Sequence, residues 1–250
     1  MKTMRKVIFY FSPTGGTKAV ADVFNRELGD VLMQEITTPS MDVELDENTM
    51  AFFFFPVYAG RIPKPMYDRM KQIKGHGTPC VNVAVYGNRA VDDALLEMSD
   101  LAKQHGFVTV GGCEIVAPHS VDPSFGFGRP DADDRAKIHE FIEKLEAKET
   151  LTEVKMPGNP EYAKKKAMDL PLYPKPSKEC IGCGICYKYC PAGAINAKRM
   201  KTKKSKCISC MRCVAMCSTE SRNIAAPMRL VAHVYLKKTC SERQECKFYL

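Results

Sequence analysis

KVIFYFSPTGGTKAVADVFNREL, residues 6–28, decides the fold of the first half of the chain. Lys6–Phe11 is rich in β-formers and reads as a strand. From Thr17 to Leu28 the sequence places Val20, Val23, Phe24 and Leu28 on one helical face. Between the two lies Ser12-Pro13-Thr14-Gly15-Gly16-Thr17. A strand, a glycine loop and a helix N-terminus bring hydroxyls and backbone N–H groups together, which suits a phosphate monoester. The Gly-Lys-[Ser/Thr] ending of a nucleotide P-loop is missing, and so is the G-x-G-x-x-G of dinucleotide folds. On this stretch alone, the alternative is an ordinary capped turn after a strand.

The strand–helix alternation continues outward to residue 150. Val31–Ile36, Thr49–Val57, Val81–Tyr86 and Phe107–Pro118 read as further strands. Phe52 to Phe55 make the second of these apolar on both faces, as a central parallel strand requires. Helical stripes fall at Ile62, Met66, Met70 and Ile73, at Val91, Leu95, Met98 and Leu101, and at Ile138, Phe141, Ile142 and Leu145. The expected fold class is α/β, a doubly wound parallel sheet with helices on both faces. Residues 151–176 break the rhythm with Pro157, Pro160, Pro171, Pro174 and Pro176, and predict a semi-rigid linker with a short helix around Glu161–Met168.

Residues 177–250 carry a different signal. Cys180, Cys183, Cys186 and Cys190 are followed 27 positions later by Cys207, Cys210, Cys213 and Cys217, so the pattern is an internal repeat. The C-x2-C-x2-C-x3-C spacing is that of bacterial iron–sulfur ligation, in which the fourth cysteine serves the other cluster. Cys180, Cys183, Cys186 and Cys217 are therefore expected to hold one [4Fe–4S] cluster. Cys207, Cys210, Cys213 and Cys190 are expected to hold the second. The alternative is a pair of zinc sites, but zinc ribbons do not need a third and fourth cysteine at these gaps. Leu230, Val231, Val234 and Tyr235 predict one packing helix in the tail of the chain.

Charge divides the chain the same way. Residues 1–150 carry 17 Lys+Arg against 22 Asp+Glu, and residues 151–250 carry 20 against 7. Six of the nine residues from Lys198 to Lys206 are cationic. A solvated hairpin tip that offsets cluster charge, a docking face for an acidic partner, and a nucleic-acid patch are the three readings of that run. No aromatic residue interleaves it and no nucleic-acid motif accompanies it. The longest apolar run, Met50 to Val57, is eight residues, too short to span a bilayer. A cytoplasmic location without membrane insertion is expected. There thiols stay reduced and cysteine blocks read as metal ligands; exposed cubanes fit an anaerobic host. Cys80 and Cys113 read as buried side chains, and Cys240 and Cys246 as free thiols or a redox pair.

The stretch at Ser12–Thr17 resembles the flavodoxin phosphate loop, [Ser/Thr]-x-Thr-Gly-x-Thr. Phe55-Pro56-Val57-Tyr58-Ala59-Gly60-Arg61-Ile62-Pro63 and Tyr86-Gly87-Asn88-Arg89 are similar to the two flavodoxin loops that clasp the isoalloxazine ring. The resemblance implies five strands in the order 2-1-3-4-5 and FMN as cofactor. It implies that Ser12, Thr14, Gly15, Gly16 and Thr17 hold the phosphate, with Pro56, Val57, Tyr58, Ala59 and Gly60 in one ring-side loop. Tyr86 is then a ring contact, Gly87 lets backbone approach flavin N5, Asn88 bonds the pyrimidine edge and Arg89 stabilises reduced flavin. His119-Ser120 falls at a further ring-side loop. The cysteine repeat resembles the bacterial two-cluster ferredoxins, which implies a small α+β domain for residues 177–250 with a helical tail. The whole chain resembles anaerobe ferredoxins that carry an N-terminal flavodoxin-like domain, Ser218 standing where proline is common. Such a protein is expected to pass electrons between two [4Fe–4S] clusters and FMN, with another protein as redox partner. The alternatives are a flavin-dependent reductase of a small molecule and a non-redox nucleic-acid binder. No general acid or base stands out as catalytic.

Overall fold

The computed structural model describes residues 4–39, 42–162 and 172–250. The first part alternates as its sequence predicts. Its elements are β1 (Arg5–Tyr10), α1 (Gly16–Glu27), β2 (Leu32–Glu35), β3 (Val43–Leu45), β4 (Thr49–Pro56), α2 (Pro65–Met70), β5 (Ile73–Gly75), β6 (Thr78–Tyr86), α3 (Ala94–Gln104), β7 (Phe107–Val116) and α4 (Ala132–Glu146). The second part contains β8 (Lys175–Pro176), α5 (Ile185–Lys188), α6 (Arg212–Ala215), β9 (Arg222–Asn223), α7 (Ala226–Cys240) and β10 (Lys247–Tyr249).

The main sheet runs β10-β7-β6-β4-β1-β2. Its five N-terminal strands are parallel. Numbered among themselves, they stand in the order 2-1-3-4-5, the flavodoxin-like arrangement. β3 and β5 form a separate parallel pair. Every residue of β4 and β6 is buried, as strands covered on both faces must be. Phe9 stacks on Phe53 with ring centroids 5.5 Å apart, and Phe24 meets Phe54 edge-on at 5.0 Å. The stripe Ile62, Met66, Met70 and Ile73 is buried throughout, but only Pro65–Met70 is helical, because Ile73 opens β5.

The sixth strand of the sheet goes beyond the predicted five. β10 pairs antiparallel with β7, so the chain's end returns to the first domain. The side chain of Asn88 secures this return: it donates to the carbonyls of Cys240 and Glu242 at 2.6 and 2.8 Å and accepts from the N–H of Gln244 at 3.1 Å. Buried Arg129 pairs with Asp134 and donates to the Gln244 carbonyl at 3.1 Å. Tyr249 adds a hydrogen bond to Glu114 at 2.7 Å.

The proline-rich linker is not a free spacer over its first part. Met156 is buried in the first domain's core, and the N–H of Val154 donates to the Thr109 carbonyl at 2.8 Å. Most of the helix expected around Glu161–Met168 lies outside the described residues. In the second part, α5 and α6 begin 27 residues apart, and the backbone repeats with them. Gly184 and Met211 cap the two helices, both left-handed, with φ of 80° and 61°. A bridge from Ile195 to Thr202 closes the expected basic hairpin. α7 forms where its stripe predicts, but it turns a different face inward. Ala232, Leu236 and Cys240, spaced four apart, are buried, whereas Leu230, Val231 and Val234 are exposed.

Candidate functional site

The turn between β1 and α1 is built as an anion site. Gly15 stands at the N-cap with φ of 94°, a conformation that glycine adopts without strain. Gly15 brings no capping side chain of its own, and the first turn of α1 carries no acidic residue. Its N-terminal N–H groups and its dipole therefore favour a negative ligand. Thr14, Gly16 and Thr17 line the adjoining cavity, whereas Ser12 and Gly15 do not. The hydroxyl of Ser12 instead accepts from the Lys18 N–H at 2.9 Å, and its own N–H donates to Thr37 Oγ1 at 2.8 Å. Ser12 shapes the loop from behind.

The cavity, about 370 Å3, opens at the carboxyl ends of β1, β4, β6 and β7, where open α/β sheets take their ligands. Pro56, Val57, Tyr58, Ala59 and Gly60 line one side. This loop is pinned from beneath by buried Glu97, which takes Arg61 Nε and Nη2 at 2.8 and 2.6 Å, the Tyr67 hydroxyl at 2.6 Å and the Ile62 N–H at 2.9 Å. Burial is the main cause that pushes the Tyr58 hydroxyl well up, so it remains protonated.

Tyr86, Gly87 and Arg89 line the opposite side, with His119 and Ser120. Asn88 does not, which corrects the sequence expectation: its amide is committed to the C-terminal segment. The Tyr86 ring is buried, and its hydroxyl reaches the Glu245 carbonyl at 3.5 Å. Arg89 is paired with Asp92, so its charge is not free. Gly87 is needed for a contact the sequence did not suggest. A Cβ there would fall 2.3 Å from His119 Cδ2, so only glycine lets the imidazole lie against this strand end. His119 Nδ1 accepts from the Val121 N–H at 3.2 Å. Burial holds its pKa down at about 4, so the ring is neutral with its proton on Nε2.

The rest of the cavity wall comes from the second part: Leu172, Ile208, Ser209, and Ala232, Tyr235 and Leu236 of α7. Sequence periodicity could not assign these residues, because they meet the first domain only through the tertiary fold. Arg212 at the start of α6 is the clearest tie. It donates to the Ser12 carbonyl at 2.9 Å, to that of Pro13 at 3.5 Å, and to Glu35 at 3.3 Å. Buried Arg69 reaches across to the Pro191 carbonyl at 3.2 Å, and His233 of α7 meets Asp122 at 2.7 Å.

The cysteines gather in the two expected fours. Cys190, Cys207, Cys210 and Cys213 line one small cavity, with Arg212 in its wall. Cys180, Cys183, Cys186 and Cys217 line another, with Met200, Met216 and Arg222. Among the described residues no three His, Cys, Asp or Glu side chains converge on a single-ion site; each set of four surrounds a space instead. Burial pushes the Cys210 thiol up to about 12, so ligation there must displace a proton. At Cys217 burial opposes ionisation, but hydrogen bonds from Ser221 and Thr219 outweigh it and bring the thiol down to about 7. Cys80, Cys113, Cys240 and Cys246 are buried apart from both sets.

The family model of the 4Fe-4S dicluster domain matches residues 149–235. That segment follows a doubly wound α/β sheet whose five N-terminal strands are parallel. No curated protein matches it. Among solved structures, the flavodoxin of Streptococcus pneumonia TIGR4 is 21% identical with a TM-score of 0.41, covering 58% of this chain and 98% of that one. A short-chain flavodoxin associated with a bacterial microcompartment is 16% identical with a TM-score of 0.35, covering 57% and 95%. The Flv1 flavodiiron core of Synechocystis sp. PCC6803 is 12% identical with a TM-score of 0.38, covering 56% and 34%. The match to a 4Fe-4S dicluster model supports an electron-transfer role. No helix among the described residues is long and apolar enough to cross a membrane.

Proposed function

We propose that this protein carries electrons between two [4Fe–4S] clusters and an FMN seated in the cavity between its two parts, and that a second protein supplies or removes them. One observation carries the reading: Ile208 and Ser209 line the flavin-sized cavity and lie between Cys207 and Cys210 in the chain. The inner cysteine set and the cavity thus share a wall. Bound there, FMN would exchange one or two electrons, whereas each cluster exchanges one.

The chain's own groups then have separable tasks. Thr14, Gly16 and Thr17 hold the phosphate at the α1 N-terminus. The Tyr58 loop and the Gly87–His119 pair flank the ring, and neutral His119 offers an Nε2 proton without adding charge. Arg212 fixes the phosphate loop to the inner cysteine loop. α7 covers the cavity and limits access of water. The outer set, with Cys183 exposed, faces the redox partner. The basic hairpin nearby suits an acidic docking face. A cytoplasmic location accords with twelve unpaired thiols.

Anaerobic purification with iron, sulfide and flavin counts tests this directly. About eight irons and one FMN per chain are expected. Full clusters without flavin would overturn the FMN assignment. Turnover of NAD(P)H with small acceptors and no added protein would favour a reductase instead.

A further inference from the structure

Arg222, the first residue of β9, is buried at 2% exposure, and among the described residues it has no carboxylate partner. All its hydrogen-bond acceptors are neutral: Nη1 donates to the Met200 carbonyl at 2.6 Å, and Nη2 to Thr202 Oγ1 at 2.5 Å and the Pro174 carbonyl at 3.3 Å. Its Nε is buried and unpartnered. A guanidinium carries its charge into the interior, and burying that charge without a counter-charge is strongly unfavourable.

Its position suggests where the counter-charge comes from. Arg222 lines the cavity of the outer cysteine set. Met200, which accepts from its Nη1, lines that same cavity, whereas Thr202 and Pro174, which accept from its Nη2, line the cavity of the inner set. The guanidinium therefore stands between the two cavities. Arg212, in the wall of the inner cavity, also has a buried, unpartnered Nε. Among the described residues these two are the buried side-chain donors left without an acceptor. Each stands at a place where iron–sulfur ligation would supply sulfur acceptors and negative charge.

We propose that Arg222 is the shared counter-ion of the two clusters, donating from Nε to cluster or thiolate sulfur and stabilising the reduced, more negative state of both. Its hydrogen bonds to the Met200 and Pro174 carbonyls hold it between the sites, so it is a positioning residue for charge and not a ligand. The proposal rests on the two-cluster reading and adds to it a residue outside the cysteine repeat. One buried cation common to two sites lowers the cost of electron arrival at either.

The test is a redox titration of the intact, anaerobically purified protein, followed by electron paramagnetic resonance, in wild type, Arg222→Gln and Arg222→Lys. Iron and sulfide are counted in each. Wild-type protein without iron would sink the cluster reading itself, and is thereby distinguished from failure of this proposal. With clusters present, both potentials should move to more negative values in Arg222→Gln and stay near wild type in Arg222→Lys. Unchanged potentials in Arg222→Gln, or a shift of one cluster alone, would overturn the shared role. Should Arg222→Gln fail to assemble clusters, a fully loaded Arg222→Lys with wild-type potentials supports the charge assignment. Equal loss of iron from both variants overturns it, because the arginine would then serve only its carbonyl hydrogen bonds.

Discussion

The two cysteine sites share one spacing and one backbone geometry, yet their surroundings differ. Ile181 and Ile208 are repeat counterparts, 27 residues apart. Ile181 is 69% exposed, whereas Ile208 lines the cavity. Cys183 is exposed and its counterpart Cys210 is buried. Ile185 and Arg212 begin equivalent short helices, but only Arg212 reaches into the first domain. The repeat gives two sites of equal ligand pattern, and packing against the first domain covers one and leaves the other open. Under the proposed function the covered site would be an inner station and the open one a port, so position within the fold, not the ligand pattern, would separate their tasks.

The largest expected break in this asymmetry comes from the ligands. Cys210→Ser should cut iron from about eight to about four per chain and stop flavin reduction by an external one-electron donor. Cys183→Ser should lose a similar amount of iron but leave the inner site assembled beside the flavin. Iron counts and flavin absorbance under reductant check both. Next in size is Arg212→Ala, which removes charge-assisted hydrogen bonds worth roughly 1.5–3 kcal/mol each from the phosphate loop. FMN affinity, measured by fluorescence titration, should fall about tenfold or more.

Gly87→Ala should displace His119 and weaken FMN binding by a smaller factor, and adding His119→Ala should recover much of the loss. A double-mutant cycle on FMN affinity measures that recovery. His119 also sets a pH dependence. Its pKa falls from 6.5 to about 4 on folding, so between these values the unfolded chain holds the additional proton. Stability should therefore fall as pH drops from 6.5 towards 4, and His119→Gln should flatten that slope in denaturant titrations. The smallest effect is expected at the hairpin. Neutralising Lys201, Lys203 and Lys204 should slow association with an acidic partner a few-fold at low salt and reduce its salt dependence.

Local chemistry was legible in the sequence. Cluster-type ligation wraps a short loop, so spacing alone sorted eight cysteines into the two fours that line separate cavities. The strand–loop–helix at Ser12–Thr17 is equally local, and eleven of the fourteen expected flavin-site residues line the cavity. What escaped depends on contacts distant in sequence. β10 is three residues after a polar stretch and shows no usable alternation. α7 has two apolar faces, and helical periodicity cannot say which one meets a neighbour. Asn88 matched a ring-side position, but its amide is committed to backbone more than 150 residues away. Arg222 follows Cys217, the last cysteine of the repeat, by five residues and carries no motif.

Rapid mixing of the anaerobic, FMN-loaded protein with a one-electron reductant tests the inner-station and port assignment most directly. Cluster absorbance should bleach before flavin absorbance in wild type, and Cys210→Ser should lose the flavin phase while its remaining cluster still bleaches. Flavin reduction at the wild-type rate in Cys210→Ser would contradict a route through the inner site.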